Sequence, residues 1–277
     1  MNNSISVKII LIRRLIFLLL CIIPAILHAG PPYDTDDPEP VLYKHWELYI
    51  SSHSSYNRIS SQGTLPHFEA NYGLIPNMQL HLIIPISFNN SYGDVKNYGL
   101  GDIEIGVKYR FIQETKYRPQ VGIFALCEIP TGNQSKELGN GKAQILLPIW
   151  MQKSLGDKWQ TYGGYGYWIN PGKDNKNWNY IGWQLQYQLR KNISIGTEIY
   201  HVTSSTKNGQ SDTRFNFGSI IDLNAKNHIL LSIGSSFNSS TILQTYVGYL
   251  FTISKLKEKI RVFNMKNRAF SKVNIDG

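Results

Sequence analysis

The sequence predicts an all-β chain: a transmembrane, antiparallel, up-and-down β-barrel of about 12 strands over residues 42–253. Three observations predict it. Alternation of apolar and polar residues recurs at steady spacing through the body of the chain. The strands number 12, an even count, and their links alternate between short and long, as in outer-membrane barrels. Within a strand, charges fall on the face opposite the aliphatic one. The stretch Gly99–Phe111 shows this best, with Ile103, Ile105, Val107, Tyr109 and Phe111 alternating with Asp102, Glu104, Lys108 and Arg110. Successive side chains of a strand point to opposite faces.

Residues 1–29 read as a signal peptide. Lys8, Arg13 and Arg14 precede an apolar run from Leu15 to Leu27, and the small-residue exit His-Ala-Gly places the cut after Ala29. That run falls short of the roughly 20 apolar residues a spanning helix needs. Leu20 before Cys21 is too large for a lipoprotein cleavage site. The mature chain then keeps one cysteine, Cys127, which excludes an internal disulfide and a cysteine zinc site. With no later run long enough for a helix, a membrane-spanning mature chain has to close as a barrel, because lipid offers no partner to unpaired backbone groups.

Residues 30–41 form an acidic lead-in, Asp34, Asp36, Asp37 and Glu39 within Tyr-Asp-Thr-Asp-Asp-Pro-Glu-Pro. The expectation is a solvated periplasmic segment kept extended by Pro38 and Pro40. The alternative is a cation site or a plug near the periplasmic mouth.

The strands follow in order. Trp46, Leu48 and Ile50 share a face, as do Phe68, Ala70 and Tyr72, and then Met78, Leu80, Leu82, Ile84, Ile86 and Phe88. After the stretch at Ile103 come strands marked by Val121–Ile129, Ala143–Ile149 and a looser aromatic one from Trp159 to Trp168. Ile181, Trp183, Leu185, Tyr187 and Leu189 alternate with Gly182, Gln184, Gln186 and Gln188. Ile193–Ile199, Phe215–Ile221, Ile229–Ile233 and Leu243–Phe251 complete the set. Short links are Leu74–Asn77, Gln113–Arg118, Gly156–Lys158, Lys191–Asn192 and Leu223–Asn227. Longer ones are His53–Thr64, Asn89–Tyr98, Pro130–Gly141, Asn170–Asn177 and Thr203–Ser211, with a brief last link at Asn238–Ser240. This order puts both termini in the periplasm. Tyr43, Trp46, Tyr72, Trp150, Trp159, Trp168, Trp178, Tyr200 and Tyr249 lie near strand ends, where aromatic residues favour the membrane–water interface.

The phase of each strand nominates the lumen-facing residues. A lipid-facing Arg or Lys at mid-depth costs about 2–4 kcal/mol, so the charged face points inward. The candidates are Glu47, Glu69, His81, Asp102, Glu104, Lys108, Arg110, Glu128, Glu198 and Arg214. Two compatible roles follow: opposite charges pair to stiffen the wall, or they form a ladder that steers solutes. His201, with Thr203 and Ser204 beside it, is the one constellation resembling a barrel lipid hydrolase. A hydroxyl nucleophile needs a base within reach and a third group orienting that base, and the acids Glu198 and Asp212 are not obviously placed for it. A rim histidine on the lipid side is the expectation, with no catalytic, metal or cofactor site.

The basic tail, residues 254–277, carries seven bases and two acids. Leu256, Ile260 and Phe263 share a helical face there, which suits an anionic surface; a disordered basic tail is the equal alternative. Between signal and tail the body holds 18 bases against 17 acids, so all but one unit of the formal net charge of +9 sits at the two ends of the chain. A nucleic-acid partner is not expected.

Several segments resemble the outer-membrane family named after the meta-pathway of phenol degradation, whose members are labelled transporters. The mature start from Gly30 to Ile50 is similar to its opening motif, an acidic Thr-Asp-Asp before a His/Trp-Glu strand. Glu69–Phe88, Gly99–Phe111 and Pro119–Asn133 are similar to its hairpin and central strands, and Ile195–Gly234 to its late hairpins, with His201 and Asn216-Phe217-Gly218 in place. The resemblance spans about residues 40–250 and implies an outer-membrane barrel inserted by the barrel-assembly machinery, transporting small aromatic or apolar compounds. A cargo-free structural or surface-interaction barrel is the competing class. The tail is outside the family pattern.

Overall fold

The computed structural model describes residues 30–91 and 96–254; the expected signal peptide and nearly all of the basic tail lie outside them. The strands are β1 (Trp46–Tyr56), β2 (Ser60–Ile75), β3 (Met78–Ser91), β4 (Asn97–Leu100), β5 (Ile103–Ile112), β6 (Gln120–Ile129), β7 (Gln144–Leu155), β8 (Trp159–Ile169), β9 (Trp178–Arg190), β10 (Ile193–Val202), β11 (Asp212–Asn224), β12 (Asn227–Ser236) and β13 (Leu243–Ile253). Neighbouring strands pair antiparallel, except that β3 pairs with β5 past β4, which pairs with β3 alone; β1 pairs with β13, Trp46 opposite Ile253 and Tyr56 opposite Leu243. That last pairing closes a ring of 12 strands, leaving β4 as one short strand outside it. Closure leaves the ring without a free edge, which is what lets strands span a bilayer.

Short-range chemistry sets the turns. Asn77 takes a positive φ of 66° in the β2–β3 turn, a conformation Asn tolerates well, and Gly156 does the same with φ 76° between β7 and β8. The links on the opposite rim are longer, but the first is shorter than the sequence suggests. His53–Thr64 is mostly strand, with the connection confined to Asn57–Ile59. Ser, Gly and Asn are poor strand formers alone, yet here the ladder carries them past register shifts at Ser51/His53 and Thr64/His67. The Asn89–Tyr98 link likewise loses its ends to β3 and β4.

The outer wall is apolar. Ile105, Val107, Tyr109 and Phe111 of β5, Ile145, Leu147, Ile149 and Met151 of β7, and Ile181 and Trp183 of β9 all present their side chains outward, exposed. Between them Lys108, Gln144, Gln152, Gln184, Gln186 and Gln188 are buried on the inner side. A soluble barrel has the reverse polarity.

Four of the nine expected interface aromatics belong to the interior. Trp150, Trp168 and Tyr200 are buried, and Trp178 stacks on Trp168 with ring centroids 5.1 Å apart. Their strand phase is the reason: Trp150 lies between the outward Ile149 and Met151, so it points inward. Tyr43, Trp46, Trp159 and Tyr249 are exposed on the outer side. Two buried apolar groups fill part of the interior. One gathers Tyr49, Ile220, Leu230, Tyr246 and Leu250, the other Phe124, Trp150, Tyr180 and Tyr200.

Candidate functional site

The lead-in runs inside the ring, and this overturns its expected solvated state. Thr35 is 0% exposed, and Tyr33, Asp37 and Val41 are buried with it. From the short-turn end the contacts climb in order. The Val41 amide donates to Gln79 Oε1 at 2.8 Å. Glu39 meets Arg110 (Nη1–Oε1 3.4 Å) and accepts from Gln120 Nε2 at 3.2 Å. Lys108 Nζ reaches Asp36 Oδ1 at 2.9 Å and Asp37 Oδ1 at 3.3 Å, and it stands 4.7 Å from the Phe124 ring centroid. Farther in, the Asp34 and Thr35 amides donate to the two oxygens of Glu198 at 2.9 and 2.8 Å. Asn216 Nδ2 and Gln244 Nε2 donate to Asp34 Oδ2 at 3.1 and 3.0 Å. Thr35 Oγ1 lies 2.9 Å from the Tyr180 hydroxyl.

The physical reason is charge. A closed wall with Lys108 buried and Arg110 half-buried needs counter-charge, because an unpaired buried cation is costly. The lead-in brings four acids and no base. Its prolines, Pro38 and Pro40, keep it extended and remove two amide donors that would otherwise need partners. Two wall glycines make room for Tyr33: a Cβ on Gly196 would come within 2.5 Å of the Tyr33 hydroxyl, and one on Gly218 within 2.7 Å of its ring. Burial, with Glu198 adding to it, holds the Tyr33 phenol well above its ordinary range. Burial also pushes the Asp37 carboxyl up to about 7, with Lys108 pulling the other way.

The nominated inward residues divide into three sets. Lys108, Arg110 and Glu198 hold the lead-in. A second set lies across the wall: His81 Nε2 is 2.9 Å from Glu104 Oε1 and His81 Nδ1 3.7 Å from Glu69 Oε1. Tyr49 donates to Glu47 at 2.9 Å, and Arg214 Nε to Asp212 at 2.6 Å. The third set borders the long-loop rim. Asp102 accepts from the Gly132 and Asn140 amides at 2.8 and 2.6 Å, pinning the Pro130–Gly141 link, and Asn140 Nδ2 also donates to Glu128 at 2.8 Å. Below that link a cavity of about 540 Å³ is lined by Asp102, Glu104, Glu128, Glu137 and His67 among others. Among the described residues no group of His, Cys, Asp and Glu is arranged to hold a metal ion.

Sequence reasoning missed the neutral partners: Gln79, Gln120, Tyr180, Asn216 and Gln244. Strand phase could have placed all five inward, but amides and phenols carry no penalty strong enough to single them out.

His201 Nδ1 lies 2.8 Å from Thr213 Oγ1, in hydrogen-bond contact on the outer face. The nearby acids are engaged elsewhere: Glu198 by the lead-in and Asn216, Asp212 by Arg214 and Ser236.

The family model described as "Putative MetA-pathway of phenol degradation" matches residues 49–246. The chain belongs to that family. An outer membrane channel from Pseudomonas putida F1 has a similar structure, with a TM-score of 0.70 at 14% identity over 80% of this chain and 100% of that one. The KdgM porin is also similar, at TM-score 0.53 and 10% identity over 74% of this chain and 99% of that one. At these identities the likeness is one of fold. No curated protein sequence matches the chain.

Proposed function

We propose that the protein is an outer-membrane channel for small solutes, closed at rest by its own N-terminal lead-in. The observation that carries this reading is the set of contacts just described: the lead-in is held by ion pairs and hydrogen bonds to polar wall groups rather than by an apolar core. Polar contacts of that kind can exchange for water when the segment withdraws, whereas an apolar seal cannot. The apolar outer wall supports residence in a bilayer, and the short-turn rim with both chain ends supports a periplasmic orientation. Family membership supports aromatic or apolar compounds as cargo. The buried, acid-paired interior is equally stable without cargo, which keeps a structural barrel as the second reading.

The test is reconstitution in liposomes, with flux of an aromatic acid, a sugar and a long-chain fatty acid measured side by side. Glu104→Gln and Arg110→Gln are expected to change flux or ion selectivity, and His201→Ala to change neither. Absence of flux for every solute, with no lipid hydrolysis, would leave the structural barrel standing. Acyl chains released by the wild type and lost in His201→Ala would instead make the protein a lipid hydrolase.

A further inference from the structure

We propose that the wall cradle now filled by Asp34 and Thr35 is a solute-binding site for small carboxylates bearing a hydrogen-bond donor beside the acid group, for which the lead-in is a built-in stand-in. The inference rests on the channel reading for the route by which a solute reaches the cradle.

The cradle has two halves. One recognises a carboxylate. Asn216 Nδ2 and Gln244 Nε2 converge on a single oxygen of Asp34 at 3.1 and 3.0 Å. The Gln244 amide is oriented for this from behind. Its Oε1 accepts from Tyr200 at 3.1 Å and from Arg214 Nη1 at 3.3 Å, which turns Nε2 toward the lumen. The other half accepts donors. Glu198 is buried and takes two adjacent N–H groups, one on each oxygen. Asn216 Nδ2 also donates to Glu198 at 2.6 Å, so one amide bridges the halves. A carboxylate with a donor a few bonds away therefore meets both halves at once, as Asp34 does through its own side chain and backbone. A lone anion would face Glu198 without a donor to satisfy it, and a neutral amide would lose the charge that Asn216 and Gln244 receive.

A second, independent observation marks the lead-in as an incomplete occupant. Gln184 pairs directly across the strands with Glu198, and Glu198 with Asn216, so the three share one inward row. Gln184 is 0% exposed, yet neither its Nε2 nor its Oε1 has a partner, and Asn216 Oδ1 has none either. Buried polar groups are nearly always satisfied. A donor and acceptors left open beside the carboxylate position describe a site with more recognition capacity than Asp34 and Thr35 use.

The experiment measures equilibrium binding of radiolabelled N-acetylglycine, which has a carboxylate and an N–H donor, to the detergent-purified full chain. N-acetylglycinamide, the neutral analogue, is the control. Asp34→Ala empties the carboxylate half, and Asp34→Asn weakens its occupant by removing the charge at constant size should the alanine variant fold poorly. Either variant is expected to bind the acid about tenfold tighter than the wild type does and about tenfold tighter than it binds the amide. Adding Asn216→Leu should abolish that preference. Equal binding of acid and amide in the Asp34 variants would overturn the site and leave the channel reading intact. Acid-selective binding without flux of any solute through the same variants in liposomes would support the site and overturn the channel.

Discussion

At the scale of single residues, Lys108 decides most. It is the buried cation between Asp36 and Asp37. Lys108→Met keeps the volume and removes the charge, leaving two acids facing each other in the lumen. Breaking a buried pair from one side costs about 3–5 kcal/mol, and here that cost falls on the docked lead-in. The variant is expected to show higher conductance in planar bilayers and an unchanged folded band on unheated gels. Asp37 predicts a pH dependence. Its carboxyl titrates near 7 when docked and in the ordinary carboxylate range when released, the raising cause being burial. Between about pH 4 and 7 the docked state thus binds the extra proton. Acid tightens docking, and docking weakens as pH rises through 7. Conductance should climb from pH 5 to pH 8, and Asp37→Asn should flatten the climb. The charged groups facing it are Lys108, Asp36 and Glu39. The inward charges were legible in the sequence because charge on the lipid side is so costly. Asn216 and Gln244 were not singled out, because a side-chain amide carries no cost strong enough to mark one inward position among many.

At the scale of elements, the phase of β5 is the sharpest claim. Ile105 is exposed on the outer wall, and Glu104 next to it faces His81 inside. Ile105→Arg should destabilise the barrel by about 2–4 kcal/mol at mid-depth, read from urea unfolding in lipid vesicles. Glu104→Gln should cost far less, since an amide still accepts from His81. A similar loss at both positions would put the phase in error. Trp150, Trp168 and Tyr200 show where element-level reading went astray. Proximity to a strand end suggested the interface, but alternation outranks position, since a one-residue step turns a side chain to the other face.

At the scale of the whole molecule, ring and lead-in are separable. The ladder closes through β1 and β13 without any lead-in residue. A chain lacking residues 31–41 is expected to insert and to keep its heat-modifiable gel mobility. Its conductance should be well above that of the wild type in planar bilayers. Barrels of 8 strands are filled by their side chains and those of 16 or more hold aqueous channels. Twelve strands are an intermediate case in which a short peptide can fill the remaining space. Failure of the shortened chain to insert would make the lead-in part of the folding unit.

The sequence alone determined the strand number, the antiparallel order and the side each strand turns to lipid, because those depend on period-two patterning and link spacing, both local. It also placed four acids before the first strand and nominated three bases, Lys108, Arg110 and Arg214, for the inner wall. That these groups meet was decided only by the tertiary structure. Asp34 and Gln244 stand 210 residues apart, and no local pattern encodes which wall residues surround a segment that runs through the lumen. The contact exists because closing the ring confines cations, amides and carboxylates in one narrow space, where an unpaired charge is costly.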